Sequence, residues 1–493
     1  MFGIPRPAAV RPLPLSELAD LLSVPTPDGD TTVTGVSLAS GRVQPGDLYA
    51  ALPGSRRHGA EFLPEAVERG AVAVLTDVAG AAAARNGLPA LVVDNPRSVV
   101  GSVSSRVYGD PTRKLSVIGI TGTNGKTSTS YLVESGLRAA GRRTGLIGTV
   151  EIRVADEVIV SERTTPEAPD LQALFAYAVE AGVTDFVMEV SSHALELHRA
   201  DGIHFAVGGF TMFGRDHLDF HPSVEDYFAA KARLFDGRCD VEVINADDDW
   251  ARRLLTPESV TYSLRPDADT TWRATDIDPD GFDQTFQVHG PDTRLTGAVR
   301  LPGEHNVANA LLAYGCLTAV GVAPDVAVAG VGRCPGVPGR MELVSGDNAI
   351  RGVVDYAHKP DAVDAVLAAL RPITAGRIIA VIGAGGDRDA SKRAVMGRAA
   401  AAGADLVIVT DDNPRSENPA AIRDQVLSGV GDAEHLNVAG RTEAIREAVS
   451  RAVPGDTVAV LGKGHEQGQE LADRTVPFDD RLVLADVLAA HHH

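Results

Sequence analysis

The sequence predicts an α/β protein of three domains, the central one built on a parallel sheet and the last one Rossmann-like, on three observations. Short apolar runs such as "AVAVLTD", "LSVIGIT", "TDFVMEV" and "ADLVIVTDD" recur, each followed by polar or glycine-rich residues. Buried parallel strands whose C-terminal ends carry the chemistry read this way. Between them lie stretches of helical spacing closed by glycine, as in "TSTSYLVESGLRAAG". The 493 residues, 44% of them hydrophobic, can bury several cores, and a prior of about 150 residues per domain gives three.

Taken in order, residues 1–110 hold "AVAVLTD" and "ALVVDNP" between glycine and proline breaks, as in a small α/β domain that ends at "YGDPTRK". The start, "MFGIPRPAAVRPLPLSELADLL", is broken by prolines and lacks the apolar stretch of a signal peptide. No run approaches the ~18 apolar residues of a membrane span. The alanine-rich "AGAAAARNG" reads as an ordinary helix end. Residues 111–337 repeat strand, loop and helix through "VGGFTMF" and "DVEVINADDD". A linker rich in proline and glycine, "RCPGVPGRMELV", leads into residues 338–490, with "RIIAVIGAGGDRD", "ADLVIVTDDNPR" and "DTVAVLGKGHE". The closing "HHH", 491–493, reads as a tag remnant.

A net charge of −20 argues against a nonspecific grip on nucleic acid. Cys239, Cys316 and Cys334 are too few and too scattered for a disulfide framework or a zinc site, and reduced thiols point to the cytoplasm. A monomer with no membrane partner is the expectation.

The stretch "GITGTNGKTSTS", residues 119–130, joins a buried strand to a helix start, where backbone N–H groups and the helix dipole favour phosphate. It keeps the glycine, lysine and threonine of a phosphate loop in Gly125, Lys126 and Thr127. Yet Ile120 stands where the usual spacing wants glycine. Lys126 can reach the β and γ phosphates and Thr127 can offer its hydroxyl to magnesium. The central domain therefore reads as a P-loop ATPase with a tightened loop around Gly122.

That loop and much of the rest of the chain resemble the Mur ligase family, ATP-dependent enzymes that add amino acids to the peptidoglycan precursor. The resemblance is carried by "GTNGKT", "TTPE" (164–167), "EVSSHAL" (189–195), "RDHLDFH" (215–221), "YFAAKARLF" (227–235), "NVANA" (306–310), "PGRME" (338–342) and "VDYAHKPDAV" (354–363). Within the family, "GGDRD", "DNPR" and "GKGHE" are similar to members that add diaminopimelate as the third residue.

The resemblance implies chemistry and places it on residues. ATP phosphorylates the carboxylate of UDP-N-acetylmuramoyl-L-Ala-D-Glu, and an amine of diaminopimelate attacks the acyl phosphate, leaving ADP and phosphate. Two anions must be brought together, which calls for lysine and a hard, oxygen-bound cation such as Mg2+. The implied ATP contacts are Gly122, Thr123, Asn124, Gly125, Lys126, Thr127, Asn306, Asp355, Tyr356 and His358, with Arg340 arriving on domain closure. The implied metal ligands are Thr127, Glu189, His217 and Lys231, the last as a carbamate. Carbamylation turns an ammonium into a carboxylate-like group and needs a neutral amine, within reach of a buried lysine. Glu189, at a strand end, would be costly to bury without a metal or partner. Catalysis would rest on Lys126, Glu189, His217, Lys231 and Arg340.

Ser40, Thr164, Thr165, Ser191 and Arg199 are implied to line the path of the UDP-muramoyl peptide. Arg388, Asp412, Asn413, Arg415, Gly462 and Glu466 are implied to hold diaminopimelate, with Arg415 on its distal carboxylate. Lysine as donor would then leave Arg415 unpaired, at about 2–5 kcal/mol in a dry site. Several positions depart from the family pattern: Ala39 and Gly41 flank Ser40 where a charged pair is usual, and Met212, His305, Lys359 and the Gly383 turn also differ. They leave open a paralogue acting on a different carboxylate acceptor. They also leave open the meso or LL isomer of the donor.

Overall fold

The computed structural model describes residues 4–83, 87–159, 163–345 and 349–491. His492 and His493 of the expected tag remnant, and Ala84, Arg85 and Asn86 of the alanine-rich piece, lie outside them. The chain divides into two compact units, Met1–Ser263 with Asp269–Trp272 and Leu312–Gly330, and Leu264–Ala268 with Arg273–Leu311 and Val331–His493.

In the first unit, strands Gly35–Ser37, Asp47–Ala50, Ala73–Thr76 and Ala90–Val92 form an all-parallel sheet in chain order. Leu48, Leu75 and Leu91 are fully buried on it beneath Leu18 and Val103, as expected where helices cover a parallel sheet. Helix Pro96–Val107 starts where Asn95 accepts from Arg97 N–H and proline takes the first turn, both favourable at an N-terminus.

A second sheet of this unit runs parallel through Thr144–Ile147, Asp185–Glu189, Ser116–Thr121, Phe205–Phe210, Cys239–Asn245 and Val260–Ser263 in that order, and Ile152–Val154 and Glu157–Ile159 extend it antiparallel beyond Thr144–Ile147. From Ser116–Thr121 the chain builds first to one side and later to the other. That reversal opens a crevice at the strand's C-terminal end, the place where open α/β sheets bind ligands. Phe186, Met188, Phe205 and Leu174 fill the core on one face.

In the second unit, Arg351–Asp355, Thr457–Leu461, Ile378–Ile382, Leu406–Val409 and His435–Asn437 are parallel neighbours in that order, with Glu342–Ser345 antiparallel at the edge. Its central strands are continuous apolar runs, buried throughout from Ile378 to Ile382 and from Thr457 to Leu461. This is the Rossmann-like layout expected. The unit also carries an antiparallel meander that the sequence reading did not anticipate, Asp283–Gly290 pairing with Arg273–Asp280 and with Thr293–Val299. Its middle strand alternates half-buried and buried residues, and its turns use Gly281 and Asp292 at positive φ. "PDGF" and "GPDT" were the available signals.

Candidate active site

The phosphate loop leaves strand Ser116–Thr121 and enters helix Lys126–Ala139 through Gly125 at φ 85°. Ile120 is fully buried inside the strand, so the turn begins two residues later. Gly122 has φ 139°, and a Cβ there would lie 1.8 Å from Thr211 Oγ1. The loop is tight because it packs onto the end of strand Phe205–Phe210: Thr211 Oγ1 donates to Asn124 O at 2.6 Å and Thr123 N–H to Met212 O at 2.8 Å. Met212 serves this contact through its backbone, which any side chain would supply.

Two lysines converge on the loop. Lys126 Nζ donates to the carbonyls of Gly122 and Thr123, both at 2.9 Å. Lys231, on helix Val224–Ala232, is 1% exposed, and its Nζ donates to the same Gly122 carbonyl at 2.7 Å. Lys231 also lies 4.6 Å over the Tyr227 ring, whose hydroxyl is 3.1 Å from Thr123 Oγ1. Burial pushes the Tyr227 hydroxyl pKa upward, so it stays protonated as a hydrogen-bonding group. The His217 ring stands 5.9 Å from Tyr227 and 4.7 Å from His193, with Nε2 3.1 Å from Asp216.

Glu189, the last residue of its strand, is 1% exposed. Its carboxylate accepts from Thr149 N–H at 2.8 Å and Thr149 Oγ1 at 3.1 Å. A Cβ at Gly148 would lie 2.5 Å from Glu189 Oε1. Thr149 is 3.2 Å from Thr164, Thr165 donates to Glu189 O at 2.9 Å, and Ser191 N–H donates to Thr165 Oγ1 at 3.3 Å. Four expected residues, Thr164, Thr165, Glu189 and Ser191, thus meet around one that sequence reading missed, Thr149. Arg199 joins Arg97 and Arg163 on the single carboxylate of Glu167, at 2.9, 3.3 and 2.6 Å. Burial, with Arg97 and Arg163 nearby, holds the Arg199 pKa below its usual value, against the pull of Glu167. Arg97, Arg163 and Arg199, gathered on one carboxylate, form a surface suited to an anionic ligand. Arg97 lies far from the motifs and Arg163 sits just ahead of "TTPE", which is why neither was singled out.

Ser40 lies elsewhere in this unit, in a short turn, its hydroxyl donating to Glu65 at 2.6 Å. Among the described residues no three His, Cys, Asp and Glu side chains gather to hold a metal ion. The expected ligands Thr127 and Glu189, with a carbamate at Lys231, would instead supply oxygen donors. That set fits Mg2+, which is bound through few protein groups plus substrate phosphates.

The second unit carries the remaining expected residues in three clusters. Asn306 is buried with Nδ2 donating to Pro302 O at 2.9 Å and Oδ1 accepting from Asn309 at 3.1 Å. Its side chain therefore shapes the turn into helix Glu304–Ala319, beside His305, whose Nε2 is 3.1 Å away. Asp355 accepts from Met341 N–H at 2.7 Å, and burial drives its carboxyl pKa up. The Arg340 guanidinium lies 4.5 Å over Tyr356, with Nη1 3.3 Å from His465 Nδ1, while His358 packs on the same ring at 4.5 Å. Gly339, at φ 64°, has no room for a Cβ, which would meet His465 N at 2.1 Å. The linker is thus seated on "GKGHE". Lys359, another departure from the pattern, stands at the N-terminus of helix Pro360–Leu370.

The third cluster joins "GGDRD", "DNPR" and "GKGHE". Lys463, fully buried and missed by the sequence reading, donates to Asn413 Oδ1 at 2.8 Å and Glu466 Oε2 at 2.7 Å, while Asn413 Nδ2 donates to Glu466 at 2.9 Å. A Cβ on Gly462 would lie 2.7 Å from Asp412 Oδ2. The Gly383 turn packs against the same loop, its Cβ position 2.8 Å from Thr410 O. Arg388 is exposed and bonds its neighbour Asp387. Beneath them Arg441 and Asp480, both fully buried, form a two-bond pair, and Arg441 also reaches Asp411 O and Leu461 O. One buried guanidinium thereby ties the "DNPR" and "GKGHE" loops together. Arg415 pairs with Glu470 at 2.6 Å. The expectation that lysine leaves Arg415 without a partner therefore does not hold, since the chain itself supplies a carboxylate.

Residues 32–108 match the family described as Mur ligase family, catalytic domain, residues 120–317 the Mur ligase middle domain, and residues 339–464 the Mur ligase glutamate ligase domain. The chain is 52% identical to UDP-N-acetylmuramoyl-L-alanyl-D-glutamate--2,6-diaminopimelate ligase of Streptomyces coelicolor over 99% of this chain and 98% of the relative. It is 46% identical to the protein of the same name from Corynebacterium glutamicum over 92% and 91%. A solved structure of a ligase of that name superposes with a TM-score of 0.72 at 31% identity, covering 98% of this chain and all of that one. The chain belongs to the Mur ligase family. With its N-terminal, middle and C-terminal α/β domains, it is an ATP-dependent, ADP-forming ligase that makes an amide bond.

Proposed function

We propose that the chain joins diaminopimelate to UDP-N-acetylmuramoyl-L-alanyl-D-glutamate in the cytoplasm, as a monomer, for peptidoglycan precursor synthesis. The single observation that carries the donor half is the cluster in which Arg415, Asn413, Lys463 and Glu466 bring fixed charges of both signs together. Such a mixed site suits an amino acid bearing several carboxylates and ammonium groups. The domains are proposed as residues 1–110, 111–337 and 338–490.

On this reading the backbone N–H groups from Gly122 to Thr127 receive the triphosphate of ATP, and Lys126 turns from the loop carbonyls to the phosphates. Arg97, Arg163 and Arg199 hold the anionic acceptor, with Thr164, Thr165 and Ser191 along its path. Thr127, Glu189, His217 and the Lys231 carbamate would hold Mg2+. When bound, that ion supplies the positive charge that lets two anions approach. Lys126 and Lys231 share one carbonyl, and converting Lys231 to a carbamate replaces two like charges by an opposite pair. Arg415 takes the distal carboxylate of the donor, and Glu466 and Asp412 face its ammonium groups. Arg340, Tyr356 and His358, which gather on one ring, are the second unit's proposed nucleotide contacts.

The test is phosphate release from ATP with the UDP-linked dipeptide and diaminopimelate, with product masses. Release that depends on all three, with a tripeptide product, supports the proposal. Release only with other carboxylates would support the second reading, a paralogue with a different acceptor, for which Ala39, Gly41 and the Ser40 to Glu65 bond speak.

A further inference from the structure

The fork of Arg415 carries a carboxylate of the chain itself. Its Nε donates to Glu470 Oε2 at 2.6 Å and its Nη1 to Gly386 O at 2.8 Å. A guanidinium grips a planar carboxylate side-on through Nε and Nη2, with two parallel bonds, and Glu470 stands on that edge. The placement is built in by the backbone. Glu470 N–H donates to Asn413 Oδ1 at 3.0 Å, and its carbonyl accepts from Arg415 N–H at 3.1 Å. Glu470 also ends strand Gly468–Glu470, where it is paired with Thr475 of strand Thr475–Pro477. Arg415 itself is held at φ 51°, in the left-handed region that a non-glycine residue adopts only when its surroundings fix it.

We infer that Glu470 is a specificity-determining residue of the donor pocket, an internal carboxylate that competes with the distal carboxylate of the amino acid for Arg415. The inference rests on the proposed reading of Arg415 as the receptor for that carboxylate. A donor that has the distal carboxylate must displace Glu470 from Nε or approach end-on across Nη1 and Nη2. Part of its pairing then replaces a pair that already exists. A donor without it, such as lysine, leaves the guanidinium on Glu470 and escapes most of the cost of an unpaired charge. Glu470 thereby narrows the preference that Arg415 creates. Its side chain is 49% exposed, so solvent screens the pair and the effect is a few-fold.

The experiment is steady-state kinetics of the full chain with diaminopimelate and with lysine, for wild type, Glu470→Gln, Arg415→Ala and the double variant. Glu470→Gln is expected to lower the KM for diaminopimelate by roughly two- to fivefold and to raise the ratio of kcat/KM for diaminopimelate over lysine. The KM for ATP should stay in place. In the Arg415→Ala background the same substitution should have no effect on either quantity. An unchanged or higher KM for diaminopimelate in a Glu470→Gln protein of unaltered Tm overturns the inference. The two failures are distinguishable. If Arg415→Ala keeps the wild-type preference for diaminopimelate over lysine, the reading of Arg415 falls and the inference falls with it. If Arg415→Ala abolishes that preference while Glu470→Gln does not sharpen it, only the competition is wrong.

Discussion

Lys126 and Lys231 donate to one and the same oxygen, the carbonyl of Gly122, at 2.9 and 2.7 Å. Two ammonium groups on one acceptor in a buried loop repel each other, and the carbamylation proposed for Lys231 would relieve this. The carbamate nitrogen would retain one N–H for Gly122, and its oxygens would be donors for a cation. Lys231→Ala should lower ligation by about 10²–10³-fold or more with the fold retained. Lys231→Arg, which keeps the charge but cannot be carbamylated, should be as inactive. Intact mass measured in bicarbonate should show the added group in active wild type, and an unmodified amine there would refute the carbamate.

Lys463 belongs to the proposed donor pocket, and the motifs did not flag it. With its Nζ on Glu466 and Asn413, Lys463→Met would leave a carboxylate and an amide oxygen without their buried cation. Breaking a buried pair costs about 3–5 kcal/mol, and Glu466 is partly exposed, 32%, which places this one below that range. The KM for diaminopimelate should rise by roughly ten- to a hundredfold while the KM for ATP holds. The double variant with Glu466→Gln should be less impaired than two independent losses. Strict additivity would mean that the two side chains act apart.

Many candidate residues of each unit stood out in the sequence because they sit in short motifs at strand ends. The phosphate loop, Glu189 with Ser191, and the "DNPR" and "GKGHE" loops fall where apolar runs stop. The partners were not legible. Thr149, Arg97 and Glu470 meet Glu189, Glu167 and Arg415 from 40, 70 and 55 positions away along the chain, and no local pattern encodes such a meeting. The antiparallel meander escaped for a different reason. Its strands are half-buried and alternate weakly, so they lack the continuous apolar runs that revealed the parallel sheets.

Glu417 offers a test by pH. It takes both nitrogens of the buried Arg393 at 2.8 Å, and Arg393 also donates to Gly385 O, so the pair latches the "GGDRD" turn to the loop after "DNPR". The hydrogen bonds from Arg393 lower the Glu417 pKa from 4.5 to about 2. A folded value below the unfolded one means that the native state binds fewer protons, so the contribution is complete above pH 4.5 and is lost as pH falls towards 2. Glu417→Gln should lower the urea midpoint at pH 6, and the gap from wild type should close between pH 4.5 and 2. A gap independent of pH would show that the carboxylate charge contributes nothing.

The acceptor end gives the last prediction. Ala39 and Gly41 stand where the resemblance implies a charged pair, and the Ser40 hydroxyl between them is held by Glu65 at 2.6 Å. Those losses should weaken the grip on the uridine end without touching the reacting end, since each hydrogen bond to a charged group is worth about 1.5–3 kcal/mol. There is room to restore them. A Cβ at Gly41 would lie 3.5 Å from Glu65 Oε1, an ordinary contact, and Ala39 has extended backbone that aspartate can adopt. Glu65 is also the obstacle, because a new arginine at 41 would pair with it first. Ala39→Asp with Gly41→Arg should therefore help little alone and more when Glu65→Gln is added. In the triple variant the KM for the UDP-linked dipeptide should fall about tenfold or more while kcat stays constant, because contacts remote from the reacting carboxyl act equally on ground and transition states. Titration calorimetry supplies the independent check. Wild type should bind the muramoyl dipeptide with and without UDP at similar affinity, and the triple variant should favour the UDP-linked form. If wild type already binds the UDP-linked form far more tightly, other residues serve the uridine and the loss at 39 and 41 is without consequence.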